Sequence, residues 1–299
     1  MRLLPMEDGF SVLVPDHSDI RRLLPVRERY AHKGDFGKVL LLCGAVGYTG
    51  AAALAARAAL RTGSGLVTVL TPEDIYPIVA AKLDEAIVRP VACDEAGRVS
   101  MEAKDDILEQ MRRADCVLIG PGLGRSRELD TLIPSLLREA GCPVVLDADG
   151  LNALAGKPDV LRQAACPVIL TPHDGEYARL MPGRPVLPRE DIPVRCRAAA
   201  GLAEESGGII LLKGHRTVIT DGEEYYVNCT GNPGMATGGS GDVLSGIIVS
   251  LLGQGVRPLE AAALGAYLHG AAGDICAQET GECWLLAGDM INALAQLLK

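Results

Sequence analysis

The sequence Gly231-Asn232-Pro233-Gly234-Met235-Ala236-Thr237-Gly238-Gly239-Ser240-Gly241-Asp242 leads directly into the apolar run Val243-Leu244-Ser245-Gly246-Ile247-Ile248. Glycines let a backbone turn sharply and approach a ligand closely, and the free amides at the start of a helix attract anions. The carboxylate of Asp242 is unusual there, because it stands beside a site suited to phosphate. Asp242 is either a helix cap or a general base beside a transferred phosphoryl group, and the run of glycines favours the base.

Composition limits the classes of protein to consider. The 299-residue chain is 48% hydrophobic but only 3% aromatic, so its core is built from Ala, Val, Leu and Ile. Its net charge of −9 argues against nucleic-acid or membrane-surface binding as the main task. No apolar run reaches membrane-spanning length, and the first residues lack a signal-peptide core. We therefore expect neither a nucleic-acid nor a membrane partner.

The nine cysteines are scattered along the chain and include no C-x-x-C pair. Cys43, Cys116 and Cys166 lie in or beside apolar, strand-like runs. This distribution predicts buried free thiols in a reducing cytosol, and hence a cytoplasmic protein. It supports neither a zinc site nor a disulfide framework.

Strand and helix patterns alternate along most of the chain, which predicts a mostly parallel sheet covered by helices on both faces. Strands are predicted at 39–43, 66–70, 85–91, 116–119, 143–146, 167–170 and 208–212, and helices at 51–61, 73–81, 102–112, 129–139, 176–180, 193–205, 242–252, 259–277 and 289–298. Asp221-Gly222 predicts a two-residue turn in an antiparallel edge hairpin, between strands at 217–220 and 224–227. We expect one domain over residues 33–299, preceded by an appendage over residues 1–32 that contains a short helix at 19–24.

Polar and glycine-rich motifs follow the predicted parallel strands directly. They are Gly44–Gly50, Gly120–Gly124, Asp147–Asn152, Thr171–Glu176 and Lys213–Thr217. The carboxyl ends of parallel strands lie on one side of a sheet, where ligands bind. The sequence therefore predicts a ligand cleft at this edge.

Three common site motifs are absent or incomplete. Gly44-x-x-Gly47-x-x-Gly50 lacks the spacing of a dinucleotide fingerprint and is explained by a tight turn between strand and helix. The chain has no phosphate-binding G-x-x-x-x-G-K-[ST] loop. Ser240 fails the nucleophile-elbow pattern of hydrolases, because Asp242 replaces its last glycine.

The remaining motifs each allow two interpretations. His173 is a candidate contact for a polar substrate, whereas Asp174 fits a helix cap. Asp147 and Asp149 either orient a metal or cap the helix at Leu151. The segment from Lys213 to Thr217 offers a cation, a small residue and a hydroxyl, as a nucleotide phosphate or ribose site requires.

Taken together, these motifs resemble those of the ADP/ATP-dependent NAD(P)H-hydrate dehydratases, a branch of the ribokinase-like superfamily. The resemblance runs from about Lys33 to the C-terminus. Its motifs are Lys33-Gly34-x-x-Gly37, Gly47-Tyr48-Thr49-Gly50-Ala51-Ala52, Gly120-Pro121-Gly122-Leu123-Gly124, Asp147-Ala148-Asp149-x-Leu151-Asn152, Leu170-Thr171-Pro172-His173-x-Gly175-Glu176, Leu212-Lys213-Gly214 and the opening stretch to Asp242. Asp174 departs from the family pattern, which usually has proline at that place.

The resemblance implies a ribokinase-like three-layer α/β/α sandwich and a repair reaction. Hydrated NADH or NADPH is phosphorylated on its new hydroxyl, and phosphate then leaves, which restores the ring double bond. The implied phosphoryl donor is ADP or ATP with Mg²⁺, with a tilt towards ADP giving AMP. Family members that also epimerise the hydrate carry a further N-terminal domain, so the short segment before Lys33 leads us to expect a dehydratase alone.

The resemblance also assigns residues to ligands. The substrate contacts it implies are Ala51, Gly122, Gly124, His173 and Asp242, with Asp242 as the catalytic base. The nucleotide contacts it implies are Lys213, Gly214, His215, Arg216, Thr217, Gly238, Gly239, Ser240 and Gly241. It identifies no metal ligand.

Three other functions remain open at this point. They are a ribokinase-like kinase of a small hydroxymethyl compound, a catalytically idle nucleotide sensor, and a Rossmann oxidoreductase, which the failed fingerprint weakens. The resemblance further suggests a homo-oligomer, as a tetramer. The Ala-rich helix from Ala51 to Leu60 would supply either an interface or simply core.

Overall fold

The computed structural model describes residues 2–5 and 11–297. Its strands are β1 (Arg2–Pro5), β2 (Ser11–Val14), β3 (Lys38–Leu42), β4 (Leu66–Pro72), β5 (Ile87–Val91), β6 (Cys116–Ile119), β7 (Val144–Leu146), β8 (Val168–Leu170), β9 (Ile209–Leu212), β10 (Val218–Thr220) and β11 (Tyr225–Val227). Its α-helices are α1 (His17–Leu23), α2 (Thr49–Thr62), α3 (Tyr76–Ala80), α4 (Lys104–Met111), α5 (Leu129–Glu139), α6 (Asp149–Asn152), α7 (Asp174–Leu180), α8 (Ile192–Ser206), α9 (Ser240–Gly253), α10 (Pro258–Thr280) and α11 (Ala287–Leu297). Within these ranges no helix combines the length and the apolar character needed to cross a membrane.

The strands form one sheet, in the order β1-β2-β11-β10-β9-β8-β7-β6-β3-β4-β5. Every neighbouring pair from β9 to β5 is parallel. Crossover helices return the chain to the same end of the sheet after each strand, which makes these pairs parallel. The predicted mostly parallel central sheet is confirmed.

The predicted hairpin forms, but its turn is longer than expected. β10 and β11 pair antiparallel, with Thr220 opposite Tyr225, so four residues connect them. The Asp221 carboxylate accepts hydrogen bonds from the amides of Glu223 and Glu224, at 3.0 and 2.9 Å. This side-chain turn competes with the tighter Asp-Gly turn. The prediction of a two-residue turn was therefore wrong.

Two strands precede the predicted body of the fold. β1 and β2 pair antiparallel, and β2 joins β11 in parallel through Leu13 and Tyr226. The hairpin thus has two further strands outside it and is not the outermost pair. The sequence pattern predicted no strand in this segment, and the division at residue 33 stays a prediction.

Side chains that alternate along the central strands separate two cores. Val39 and Leu41 of β3 pack with α2, α9, α10 and α11 on one face of the sheet. Leu40 and Leu42 pack with α4, α5 and α8 on the other face. The period of two places successive residues on opposite faces, so the fold is the predicted three-layer α/β/α sandwich.

Helices α2 and α9 meet in a seam of small residues. Ala52, Ala55 and Ala59 are fully buried on α2. A Cβ on Gly246 of α9 would lie 2.3 Å from the carbonyl oxygen of Ala55, so only glycine permits this approach. The Ala-rich helix is therefore part of the core of this chain.

Candidate active site

The turns that follow the parallel strands are joined to one another by hydrogen bonds. The Gly44 amide donates to the Pro121 carbonyl (2.9 Å), the Gly124 amide to the Asp149 carboxylate (2.8 Å), the Thr171 hydroxyl to the Asp147 carboxylate (2.7 Å), and the Lys213 amide to the Pro172 carbonyl (2.8 Å). Each bond connects neighbouring turns at the carboxyl edge of the sheet. The predicted site motifs are thus held together as one continuous rim.

An ion pair between Asp147 and Lys213 lies at the centre of this rim. Asp147 is only 1% exposed, and its Oδ1 accepts from the Thr171 hydroxyl and, at 2.9 Å, from Lys213 Nζ. Glu176 Oε2 lies 3.6 Å from the same nitrogen. Burial by itself lowers the pKa of Lys213, but the carboxylates of Asp147 and Glu176 outweigh it and raise this pKa. Lys213 is therefore a fixed cation at neutral pH.

The turn between β7 and α6 orients two carboxylates in different directions. Ala148 between them has φ 49° and ψ −115°, a positive-φ conformation that costs a residue with a Cβ about 1 kcal/mol or more. Asp149 turns towards the loop after β6 and accepts from the Gly124 amide. The N-cap residue of α6 is Ala148, so neither Asp147 nor Asp149 occupies the cap position considered from the sequence.

Asp242 lies in the first turn of α9, whose N-cap residue is Gly239. The interpretation of Asp242 as the helix cap was therefore wrong. Burial and the charge of Asp147 raise the pKa of Asp242 to about 7, against the opposing charge of Lys213, with a smaller upward contribution from Asp149. At neutral pH this carboxyl group is divided between its charged and neutral forms.

Lys213 and Asp147 also face the start of α9 from the side. A Cβ on Gly241 would lie 3.6 Å from Lys213 Nζ and 4.0 Å from Asp147 Oδ2. The Val243 amide makes the first hydrogen bond to a carbonyl four residues back, that of Gly239. The amides of Gly241 and Asp242 come before it and remain among the unpaired donors of a helix start. A cation and free amides are thus assembled around one small volume, as an anionic phosphoryl group requires.

The glycine stretch is held from behind by α2 and α10. Gly239 has φ 91°, and a Cβ there would lie 2.5 Å from the Leu54 side chain. The Ser240 hydroxyl lies 3.2 Å from Nε2 of His269 on α10. Burial lowers the pKa of His269 to about 4, so its imidazole is neutral at physiological pH.

Two of the predicted dinucleotide contacts, Gly122 and Ala51, lie close to each other. Gly122 has φ 64°, and a Cβ there would lie 2.8 and 2.9 Å from the Cβ atoms of Tyr48 and Ala51. The loop after β6 therefore packs on the first turn of α2 because position 122 has no side chain. Gly124, with φ 74°, continues the same loop.

His173 caps α7 with its side chain. Its Nδ1 accepts from the amides of Gly175 and Glu176 at 2.9 and 3.3 Å, while the Glu176 carboxylate accepts from the His173 amide at 2.8 Å. This reciprocal pair is a capping box. Because Nδ1 is an acceptor, the ring proton of neutral His173 is on Nε2. His173 is the cap, where Asp174 was expected, and its imidazole remains 54% exposed on the rim.

The predicted nucleotide turn after β9 is only partly tied to this centre. The Thr217 hydroxyl donates to the Gly214 carbonyl at 3.1 Å, which closes the turn. Arg216 has φ 56°. His215 and Arg216 are exposed. Within residues 2–5 and 11–297, neither side chain forms a hydrogen bond or an ion pair with Asp147 or Asp242. Of this turn, the Lys213 side chain is the part that reaches the Asp147 carboxylate.

Three buried polar residues of the site were not predicted from the sequence. Glu176, Arg195 and His269 are 5%, 1% and 8% exposed. Glu176 was noted only for its spacing from His173, and Arg195 and His269 were not singled out within their helices. A histidine or an arginine inside an otherwise apolar helix face is the one signal that could have found them.

The described residues contain no cluster of three or more His, Cys, Asp or Glu side chains arranged around a metal. A separate surface cleft of about 540 Å³ lies over α2 and α11, lined by Arg57, Leu60, Arg61, Lys82, Asp84, Glu85, Ile291 and Asn292. It includes none of the predicted site residues. The chemistry-bearing groups are collected at the sheet edge.

Sequence comparison identifies relatives over nearly the whole chain. The Carb_kinase model, described as NAD(P)H-hydrate dehydratase, matches residues 39–296. The bifunctional NAD(P)H-hydrate repair enzyme Nnr of Moorella thermoacetica is 47% identical over 93% of this chain and 52% of the relative. The chain spans about half the length of the curated relatives it matches.

Structure comparison gives the same family. The ADP/ATP-dependent NAD(P)H-hydrate dehydratase of Bacillus subtilis, co-crystallised with ATP and Mg²⁺, superposes with a TM-score of 0.79 and 32% identity, over 94% of this chain and 96% of that one. Hydroxyethylthiazole kinase of Pyrococcus horikoshii, at TM-score 0.60 and 16% identity over 94% and 91% of the two chains, shares the fold. With the family model covering residues 39–296 and the site turns joined at one edge, this chain belongs to the NAD(P)H-hydrate dehydratase family.

Proposed function

We propose that this chain catalyses the nucleotide-dependent dehydration of hydrated NADH and NADPH, a repair reaction that regenerates the reduced dinucleotide. The observation that carries the proposal is the position of Asp242. Its carboxyl group, with a pKa of about 7, lies in the first turn of α9 beside free amides and the Lys213–Asp147 pair. A base and an anion site are thereby combined, as phosphoryl transfer to a hydroxyl requires.

In the first step, Asp242 accepts the proton of the substrate hydroxyl while that oxygen forms a bond to the transferred phosphorus. A base is most useful when its pKa lies near the working pH, and burial has brought Asp242 into that range. The bond between the phosphorus and the bridging oxygen of the donor nucleotide breaks, and the shorter nucleotide leaves. The amides of Gly241 and Asp242 and the ammonium of Lys213 stabilise the charge on the phosphoryl oxygens.

In the second step, the carbon–oxygen bond of the phosphorylated intermediate breaks. Phosphate leaves with the electron pair of the carbon–oxygen bond, a neighbouring ring carbon loses a proton to water, and the electron pair of that carbon–hydrogen bond restores the double bond of the reduced nicotinamide. We propose that Ala51, Gly122, Gly124 and His173 hold the dinucleotide during both steps. Gly122 and Ala51 are already in contact distance across the rim, and the His173 ring is exposed there.

We propose that the phosphoryl donor is a nucleotide with Mg²⁺, and that ADP serves, giving AMP. Its phosphates would lie against Gly238, Gly239, Ser240 and Gly241, with the turn from Lys213 to Thr217 alongside. Mg²⁺ keeps several waters and binds through substrate phosphates and one or two carboxylates. Asp147 and Asp242 are the carboxylates facing that volume, and the ion would supply charge neutralisation of the phosphates.

The test is to incubate the purified chain and Mg²⁺ with hydrated NADH or hydrated NADPH, with ADP and ATP in separate reactions. We expect the absorbance of the reduced nicotinamide to return, with release of one free phosphate per molecule repaired. The nucleotide that supports the reaction identifies the donor. If neither nucleotide restores the absorbance, the proposal is wrong. A kinase of a small hydroxymethyl compound would instead leave a stable phosphorylated product.

We further propose that residues 33–299 form the catalytic unit, with residues 1–32 as an appendage, and that the chain acts in the cytoplasm as a homotetramer. Free buried thiols such as Cys43, Cys116 and Cys196 support a reducing compartment. Several large apolar side chains are exposed and support an oligomer, namely Val46, Tyr48, Tyr76, Ile78 and Ile87. Light scattering of the purified chain would test the assembly.

A further inference from the structure

Arg195 of α8 is a fully buried arginine whose guanidinium connects two turns of the site rim. It is 1% exposed. Its Nη1 donates to Asp174 Oδ1 at 2.9 Å, and its Nη2 donates to the Lys213 carbonyl at 2.8 Å. Asp174 begins α7 directly after His173, on the substrate side. Lys213 begins the nucleotide turn, so one planar cation spans both sides of the site.

This arrangement is costly for the fold alone. Burial of a charge is unfavourable unless it is paired and hydrogen-bonded. The guanidinium forms its ion pair with Asp174, whose carboxylate is 39% exposed. The Nε of Arg195 has no hydrogen-bond acceptor among the described residues. A buried donor left in this state calls for an explanation beyond stability.

The nucleotide turn is shaped to admit the guanidinium. A Cβ on Gly214 would lie 2.7 Å from Arg195 Nη2, so the absence of a side chain there allows the guanidinium to lie against the backbone. The Lys213 amide donates to the Pro172 carbonyl, which gives a second link between the same two turns. The two links hold the amide and the carbonyl of Lys213, and this backbone sets the position of Lys213 Nζ relative to Asp147.

We infer that Arg195 is a positioning residue that, through Asp174, holds the substrate-side turn and the nucleotide-side turn in a fixed relation. The inference rests on the proposed function for the identity of the two ligands. Arginine suits this role because its planar fork reaches two acceptors at once, which the single ammonium of lysine does not. Loss of the link lets each turn move independently of the other.

The most informative variant is Asp174→Pro. Asp174 is the first residue of α7, where proline is favoured, and His173 before it is extended with ψ 172°, as a residue before proline should be. The helix start is therefore kept while the carboxylate is removed. Asp174→Asn, which keeps an acceptor for Nη1, and Arg195→Lys, which keeps the charge, complete the series.

We expect Asp174→Pro and Arg195→Lys each to raise the KM for the nucleotide and the KM for the hydrated dinucleotide by about 10-fold, the effect of one lost charge-assisted hydrogen bond. Asp174→Asn should give a smaller rise in both. Direct titration with ADP should show the same weakening without turnover. A change in nucleotide affinity caused by Asp174, on the substrate-side turn, is the readout that a purely structural role would not produce.

Arg162→Lys is the matched control. The Arg162 guanidinium is exposed and donates to the carbonyls of Glu204 and Glu205 at the other end of α8. Both KM values should stay within about 2-fold of wild type, as expected for an exposed contact. If Asp174→Pro and Arg195→Lys lower Tm but leave both KM values unchanged, or raise only one of them, the inference is wrong. An inactive wild type overturns the proposed function instead, and the ADP titration still decides this inference.

Discussion

Asp147 and Asp242 are carboxyl groups of the same site in opposite surroundings. Asp147 is 1% exposed and accepts hydrogen bonds from Thr171 and Lys213, so its charge is matched by donors. Asp242 lies among free amides in the first turn of α9, and burial together with the charge of Asp147 raises its pKa to about 7. Asp147 is held in place by its donors, whereas the raised pKa of Asp242 makes that carboxyl group ready to exchange a proton. The difference in surroundings therefore gives two aspartates different roles, Asp147 as the partner of Lys213 and Asp242 as the proposed base.

Asp242→Asn should have the largest effect on activity, because it removes the carboxyl group with the raised pKa. We expect kcat to fall by about 10² to 10⁴-fold, which is the usual contribution of a positioned base. The side chain keeps its size, so the fold and the binding of ADP should persist. Restored nicotinamide absorbance measures the rate, and titration with ADP is the control. Turnover close to wild type would contradict the role of Asp242.

The next largest effect is expected for Lys213→Met. Removal of the cation leaves Asp147 buried without its partner and raises the pKa of Asp242 further, because Lys213 is the group that opposes the rise. We expect kcat/KM at pH 7 to fall by about 10 to 100-fold, with part of the loss recovered at higher pH. Rates measured across a pH series test this.

Lys104→Met is the control for that experiment. Its ammonium pairs with Glu139 at 2.8 Å on the outer helices, away from the strand ends. An exposed pair of this kind contributes about 1 kcal/mol or less, so activity should be unchanged. Equal losses in the two variants would show that the effect of Lys213 is on folding alone.

Asp147→Asn should change the pH dependence in the opposite direction. In wild type, kcat/KM should rise with pH through about 7, because the base must lose its proton. Asparagine removes a negative charge that raises the pKa of Asp242, so the midpoint should move down, by on the order of one pH unit. An unchanged midpoint would mean that Asp147 has no electrostatic influence on Asp242.

The smallest effect expected is on stability. The pKa of Asp242 is raised from 3.8 to about 7 in the folded state, so its ionisation costs stability as pH rises through this interval. Asp242→Asn should therefore melt a few degrees above wild type at pH 8. The gain should shrink as pH falls from 7 and be absent near pH 4. A thermal melt at each pH tests the sign, and a gain that persists at pH 4 would point to another cause.

Much of the fold could be predicted because buried parallel strands have a simple signature. Val39 to Cys43 and Cys116 to Ile119 are continuous apolar runs, as strands covered on both faces must be. The site turns were predicted from their position directly after such runs. β1 and β2 were not predicted, because their place in the sheet depends on pairing with β11 near the other end of the chain, which no local pattern records.

The parts of the site that escaped prediction depend on tertiary burial. Arg195 and Arg197 lie two residues apart on one helix, and the first is buried while the second is exposed. The helical period places them on opposite faces of α8, but it does not show that a buried guanidinium at position 195 would reach two turns of the site. The prediction of a two-residue turn at Asp221-Gly222 failed for a related reason. The sequence does not show that the Asp221 carboxylate will accept hydrogen bonds from two backbone amides.

The seam between α2 and α9 has a consequence for how this protein tolerates mutation. Ala51 lies in the first turn of α2 and Asp242 in the first turn of α9, and Gly246 packs against Ala55 where the two helices meet. A single added methyl group at 246 must push the helices apart, and the carboxyl group of Asp242, the proposed base, would then be displaced relative to Ala51, a proposed dinucleotide contact. Under the proposed function, position 246 is thus closed to ordinary sequence drift, because the spacing between the two helices sets the distance between two of the proposed site residues.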